Sequence, residues 1–285
     1  AEREAVHQVL ASDRFADAAP AHIVSTLLDE EQYLCSTTTM YRLIRSKYGH
    51  ATDRRDQAVH PARIKPELAA NAPLQVWSWD ITKLKGAAKW TYYHLYVVLD
   101  IFSRYVVAWT VTERESTAIA KALLDEAITR EGAEPTRLTI HSDNGASMAS
   151  KPVAFLLADL GVTKSHSRPH TSNDNPFSEA GFKTLKYCPA FPKTFESLAH
   201  AREFCTSFFQ AYNHDHKHSG IAFLSPVTVH TGQAERVIAE RQRVLDAAYT
   251  AHPQRFRRGR PRPPQLDATV YINKPEEEEK EATTA

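Results

Sequence analysis

Cysteine is scarce in this chain. Cys35, Cys188 and Cys205 stand too far apart in 285 residues to form a metal knuckle or a disulfide framework. A small bridge-stapled secreted domain is thereby excluded, and a reducing cytoplasm is the expected setting. Long apolar runs are missing too: none approaches the roughly 18 residues of a membrane span. The opening AEREAVHQVL is neither a cleavable leader nor an initiator Met, so Ala1 reads as the edge of a processed or truncated protein. What is present, 42% hydrophobic and 24% charged residues, suffices for one sizeable core with smaller attachments.

The net charge of +1 conceals a segregated distribution. HPQRFRRGRPRPP carries Arg255, Arg257, Arg258, Arg260 and Arg262 with no acid, whereas PEEEEKEATTA carries Glu276, Glu277, Glu278, Glu279 and Glu281 against one lysine. The acidic end reads as a solvated, disordered tail over 274–285. The body without it suits a polyanion.

Along the chain, REAVHQVLAS, AHIVSTLLDE and TTTMYRLIRSKYG space apolar residues at three and four, which predicts three short helices over 1–49. Ser36 is a good N-cap for the third and Gly49 a stop. Three helices in this order are the minimal helix-turn-helix unit, although no glycine marks the turn before the third. In that third helix Met40, Leu43 and Ile44 face inward, leaving Thr38, Thr39, Arg42 and Arg45 for DNA. Residues 50–73, with three prolines and no sustained period, read as a linker. A catalytic core is expected over 74–230. QVWSWDIT, TYYHLYVVLDIF and YVVAWTVT predict an antiparallel start, followed by helix STAIAKALLDEAITREG, strand RLTIHSDN, helix KPVAFLLADLG, strand VTKSHS and a helix holding Glu179. After Pro226, VTVHTGQAERVIAERQRVLDAAY reads as one last helix, and residues 231–273 read as a C-terminal helix, a basic arm and a short strand within DATVYINKP. The order βββαβαβα implies an α/β fold, a mixed sheet between helices of the ribonuclease H-like kind, with the all-α helix-turn-helix region ahead of it.

Three carboxylates stand at the ends of these elements: Asp80 in WSWDITKL, Asp143 in LTIHSDNG and Glu179 in NDNPFSEAGFKTLKY, a D…D-(35)-E spacing. Phosphodiester chemistry calls for two hard divalent cations about 3.5–4 Å apart held by oxygen ligands. In the expected sheet the first and fourth strands are neighbours, which brings the aspartates together, and the third acid arrives from a helix across the sheet. Each acid also has a plainer reading: Asp80 hydrogen-bonded among its apolar neighbours, Asp143 as a turn cap, and Glu179 as complement to a helix dipole. Asp100, in VVLDIFSRYVVAW, is the rival for a metal role, but a hairpin acid of this kind satisfies turn amides or pairs with Arg104. His141 lies near the site. His214, His216 and His218 in YNHDHKH do not aim at one point, and a structural or DNA-edge role is expected of them.

WSWDITKL, LYVVLDIFSRYVVAW, HSDNG, SHSRPHTSNDNPFSEAGFKTLKY and FFQAYNHDHKHSGI together resemble the catalytic protein of bacterial insertion-sequence-3 transposases, whose core is similar to retroviral integrases. The resemblance runs from about Gln75 to about Val229, and more weakly over 1–48. It implies a DDE transposase with Asp80, Asp143 and Glu179 as ligands of two Mg²⁺ ions, Mn²⁺ being a substitute. The reaction implied is 3′-end cleavage and strand transfer without a covalent protein intermediate. The resemblance also places a basic residue seven positions after the glutamate, here Lys186. Lys183 shares the face of Glu179 more closely, Arg168 precedes it in the loop, and Lys183, Lys186 and Arg168, with Arg255, Arg257 and Arg258 of the basic arm, are expected to contact DNA. Expected partners are double-stranded DNA, both element ends and target, and further copies of the chain as a dimer or higher oligomer. A nucleoid-associated bacterial protein with neither membrane nor small-molecule partner is implied, and the integrase-type His-His-Cys-Cys zinc module is absent. Two alternatives use the same residues: a ribonuclease H-like nuclease or resolvase that only hydrolyses, and an inactive DNA-binding regulator.

Overall fold

The computed structural model describes residues 2–15, 18–48, 65–143, 151–168 and 174–275. The chain divides into two compact units, Ala1–Arg63 and Ile64–Ala285. Among the described residues, no helix is long and apolar enough to cross a membrane.

The first unit holds α1 (Glu2–Leu10), α2 (Pro20–Asp29) and α3 (Thr37–Tyr48). Their apolar positions recur at three and four, and Val6, Leu10, Ile23, Leu27, Met40, Leu43 and Ile44 close into one buried cluster. Pro20 opens α2, where its fixed φ suits a first helical turn. Ser36 caps α3 as expected: its Oγ accepts the Thr39 amide at 3.3 Å and donates to the Thr39 hydroxyl at 3.1 Å. Gly49, the expected stop, lies outside the described residues.

The second unit begins with a short strand, β1 (Leu68–Ala70), and continues through β2 (Val76–Lys85), β3 (Tyr92–Asp100), β4 (Val106–Thr112), α4 (Thr117–Glu131), β5 (Thr139–Ser142), α5 (Lys151–Asp159), β6 (Thr163–His166) and α6 (Pro176–Lys186). From β2 onward this is the expected βββαβαβα order. The sheet runs β4-β3-β2-β5-β6. Short turns make β2, β3 and β4 antiparallel. Helical crossovers make β2, β5 and β6 parallel. The two sheet faces bury separate cores. Trp77, Trp79, Tyr96 and Val98 pack with Leu124 and Ala127 of α4 and with Val153 and Leu157 of α5. Leu84, Leu95, Val97 and Leu99 pack with Leu185 of α6 and with Cys205, Phe209 and Tyr212 of α7 (Leu198–His214).

Two expectations about the C-terminal part need correction. The tract from Pro226 to Tyr249 is not one helix but two, α8 (Pro226–His230) and α9 (Ala234–Ala251). Gly232 takes φ 71, a left-handed conformation open to glycine, and the Gly232 and Gln233 amides turn back to the carbonyls of Val229 and Thr228, closing α8. The expected short strand is there, β7 (Val270–Ile272), but its partner is β1, inside the tract read as a linker. Leu68 pairs with Ile272 and Ala70 with Val270. Val270 and Ile272 join Val76, Ile101, Phe102 and Val229 in a third buried cluster, so 68–73 and 270–272 belong to the core unit. Periodicity misses a three-residue strand whose partner is about 200 residues away, because neither half carries a pattern alone.

Candidate active site

Register places the two aspartates. In the parallel pair β2/β5, Trp79 lies opposite Ser142, so the next residues, Asp80 within β2 and Asp143 just past the end of β5, stand side by side. Alternation decides which way Asp80 points. Trp77, Trp79 and Ile81 pack towards α4 and α5, whereas Ser78, Asp80 and Thr82 share the face crossed by α6. Two contacts fix α6 there: the Ser78 hydroxyl bonds Asn175 at 2.5 Å and meets the Ser178 hydroxyl, and Lys186 Nζ donates to Thr82 Oγ1 at 2.7 Å. Asp80 sits between these anchor points, and Glu179 follows Ser178 in the first turn of α6. Asp143 Oδ1 accepts the Ser167 hydroxyl at 2.7 Å, while Asp80 Oδ1 accepts the Ile81 amide at 2.7 Å.

The three acids act on one another. Burial first, with Asp143 and Glu179 adding to it and the Ile81 amide and Lys186 pulling against it, pushes the Asp80 carboxyl up to about 7. Partial burial and then Asp143 raise Glu179 as well. One lysine therefore faces three carboxylates, an excess of negative charge made of hard oxygen donors, which suits a hard divalent cation. The acids are not gathered as a finished cage: among the described residues, no three Asp, Glu, His or Cys side chains are grouped to hold an ion.

Behind this face lies a network that the sequence did not announce. His141 is fully buried, and its Nε2 lies 2.7 Å from the Asp174 carbonyl oxygen. A carbonyl only accepts, so that nitrogen carries the hydrogen and Nδ1 takes the Ser165 hydroxyl at 3.1 Å. Burial holds the ring's pKa below its usual value. Ser167 stands 3.2 Å from the same Nε2 and links the ring to Asp143. Asp174, also fully buried, accepts the Arg168 amide, Nε and Nη2 at 2.9, 2.9 and 3.0 Å, and the Asn273 side-chain amide at 2.8 Å. Arg168 thus commits one edge of its guanidinium to Asp174. Asn273, immediately after β7, also reaches the Pro66 carbonyl at 3.0 Å. The DN dipeptide inside SNDNP was the only sequence signal for Asp174, and Asn273 had none.

The other named residues fall elsewhere. Asp100 is fully buried and accepts the amides of Leu74 and Ser103 and the Ser103 hydroxyl, the turn role expected of it. Lys183 is exposed, its Nζ 6.0 Å from the Tyr187 ring centre. Thr38, Arg42 and Arg45 are exposed on α3, whereas Thr39 is half-buried in the cap. Arg255, Arg257 and Arg258 are exposed after α9. His214 and His216 are exposed, and His216 stacks on Tyr212. Burial and the nearby Arg104 push His218 down to about 4.

Comparison with known proteins adds three findings. An integrase core domain family matches residues 70–172, and a second family of the same description matches 160–226. The transposase for insertion sequence element IS904 of Lactococcus lactis is 30% identical over 183 residues, 64% of this chain and 71% of that protein. Transposase InsF for insertion sequence IS3A of Escherichia coli is 29% identical over 164 residues, 57% of this chain and 56% of its own length. Among solved structures, the HTLV-2 integrase catalytic core domain in complex with magnesium is 19% identical with a TM-score of 0.42, covering 56% of this chain and 97% of that one.

Proposed function

The chain belongs to the insertion-sequence transposases of the insertion-sequence-3 kind, which carry an integrase core, and from that premise we propose that it is a DDE enzyme that cuts and joins DNA 3′ ends at Asp80, Asp143 and Glu179. The observation that carries this reading is the convergence of three sequence-distant acids where the central strand β2, the end of β5 and the first turn of α6 meet, electrostatically coupled and under-neutralised. Their carboxylate oxygens would hold two divalent ions, magnesium or manganese; bound there, the ions supply Lewis-acid stabilisation of the attacking and leaving oxygens.

The protein's own part is positional. Asp80 must give up its proton to become a ligand, and its raised pKa confines that, before any ion binds, to about neutral pH and above. Lys186, held on Thr82, offers its positive charge beside the carboxylates to a DNA phosphate. The Ser167 hydroxyl orients Asp143. Helix α3, with Thr38, Arg42 and Arg45 outward, would read the element end, and the exposed Arg255, Arg257 and Arg258 would follow the phosphate backbone. Handling two ends at once calls for at least two copies on DNA.

Strand transfer of a labelled element end into target DNA tests the reading. Wild-type protein should join the 3′ end in Mg²⁺, and D80N, D143N and E179Q should each lower joining by about a thousandfold or more, an amount in keeping with losing metal-borne charge stabilisation. Hydrolysis without joining would point to the nuclease alternative. Undiminished joining by E179Q would refute the assignment.

A further inference from the structure

The β2–β3 hairpin beyond the carboxylates has a chemistry that the catalytic reading does not use. Its residues 81–92 include Lys83, Lys85 and Lys89 and no acid. All three lysines are exposed. In the antiparallel register Lys85 lies opposite Tyr92, and alternation puts Lys83 and Lys85 on one face with Tyr92, whose ring centre is 5.8 Å from Lys83 Nζ. At the tip stands Trp90, 79% exposed. The Thr91 amide bonds the Ala88 carbonyl at 3.1 Å, closing a four-residue turn in which Trp90 takes φ 66 at the third position. Turns ordinarily give that position to glycine or asparagine. A bulky aromatic there carries backbone strain, and its apolar surface is left in water.

The tip is nevertheless built firmly. Gly86 donates to the Thr91 carbonyl at 2.8 Å, and a Cβ at Gly86 would lie 3.1 Å from that oxygen, so only glycine lets the two strands close. The Ala87 amide bonds the Phe195 carbonyl at 2.9 Å, and the Phe195 amide bonds the Lys85 carbonyl at 2.8 Å, which ties the hairpin to the segment ahead of α7. A rigid mount thus presents an exposed tryptophan among lysines. Alternation turns Lys83 and Lys85 to the face of β2 opposite Asp80. Along the strand, at about 3.3 Å per residue, Lys83 lies roughly 10 Å and the tip roughly 20 Å beyond that carboxylate, a span of several nucleotides for a strand that passes around the hairpin.

We propose that this hairpin is a second DNA-contact element, with Lys83, Lys85 and Lys89 on phosphates and the Trp90 indole stacked on an unpaired base of a strand that passes around the hairpin tip. It rests on the DNA-joining reading for its ligand but not on the carboxylates for its binding. Lysines interleaved with aromatic faces are what a single strand recognises: charge tracks the backbone, and a π-face accepts any base. No acid on the hairpin repels phosphate.

Trp90 is its own probe, because Trp77 and Trp79 are buried and Trp109 is half-buried. The full chain carrying E179Q is titrated in EDTA with a labelled oligothymidylate and with a blunt duplex, reading label anisotropy and tryptophan emission. The expected result is quenching of emission by the oligothymidylate and weaker quenching by the duplex. W90A should bind the oligothymidylate roughly 5- to 100-fold less tightly. K83A/K85A should reduce the steepness of log K against log salt by about 1.4. Unchanged emission on binding, equal quenching by the duplex, or both variants binding like the parent chain would overturn the proposal. Far-ultraviolet circular dichroism confirms that these surface variants fold. Strand transfer that survives while Trp90 stays unquenched sinks the hairpin alone. A quenched Trp90 in a chain that joins no DNA sinks the catalytic reading alone.

Discussion

The two faces of β2 differ more than any two surfaces in the core unit. Towards α4 and α5 it presents Trp77, Trp79 and Ile81, the tryptophans almost fully buried; towards α6 it presents Ser78, Asp80 and Thr82. One face contributes burial and little else. The other places a carboxylate, two hydroxyls and the reach of Lys186 in a half-buried setting where desolvation works against charge. A single strand, alternating every residue, therefore separates what holds the fold from what performs the chemistry, and substitutions on its two faces should fail in different ways.

Trp79→Ala should give the largest effect on stability, a loss of about 3–5 kcal/mol from the cavity it leaves, visible in urea unfolding. A loss under 1 kcal/mol would show that this face is not the anchor. Asp80→Asn should do the reverse: joining is abolished, yet the metal-free protein gains on the order of 1–2 kcal/mol at pH 7, because a buried charge has been removed. Its pH dependence follows from the same shift. Folded Asp80 titrates near 7, above its ordinary 3.8, so between those values the native state holds a proton that the unfolded chain has released. Stability falls as pH rises through this window, and D80N should flatten that slope in melts run from pH 4 to 8.

Asp174→Asn tests the network behind the site with a smaller effect. Arg168 holds the Asp174 carboxyl below the usual carboxylate range. Its contribution is thus present above that range and lost as pH falls through it. The variant should melt several degrees lower at pH 6 and should lose much of the wild-type sensitivity to acid. Equal melting temperatures at pH 6 would remove Asp174 from the stability argument. Thr82→Val should be mildest, releasing Lys186 from its 2.7 Å bond without disturbing the shape of the strand. Joining should fall a few-fold with unfolding unchanged, whereas a stability loss without an activity change would mark Lys186 as structural.

The legibility of the molecule follows the range of its interactions. Strands β2 to β6 and helices α4 to α6 were readable because each carries its own period; Asp143 and Glu179 stand at element ends as expected, whereas β2 runs on to Lys85 and leaves Asp80 at mid-strand. The inward set of α3, Met40, Leu43 and Ile44, followed from the same periodicity. By contrast, nothing in the pattern around Arg168 shows that Asp174, six residues on, turns its carboxylate back upon it. The linker reading failed at Leu68 because its apolar residues find their partners only at β7. The break in the last helix was legible in principle at Gly232, yet periodicity on both sides masked it.

Sequence alone determined the strands and helices that carry a period of their own, and which acids lie on or beside them, since backbone propensity and side-chain alternation act over a few residues. Tertiary structure decided what each charge meets: that Asp80 turns from the tryptophans to face α6, that Arg168 is held by Asp174, and that Asn273 closes on a loop about 100 residues before it. Those outcomes depend on desolvation and hydrogen-bond geometry between distant segments, quantities that do not exist until the chain has folded.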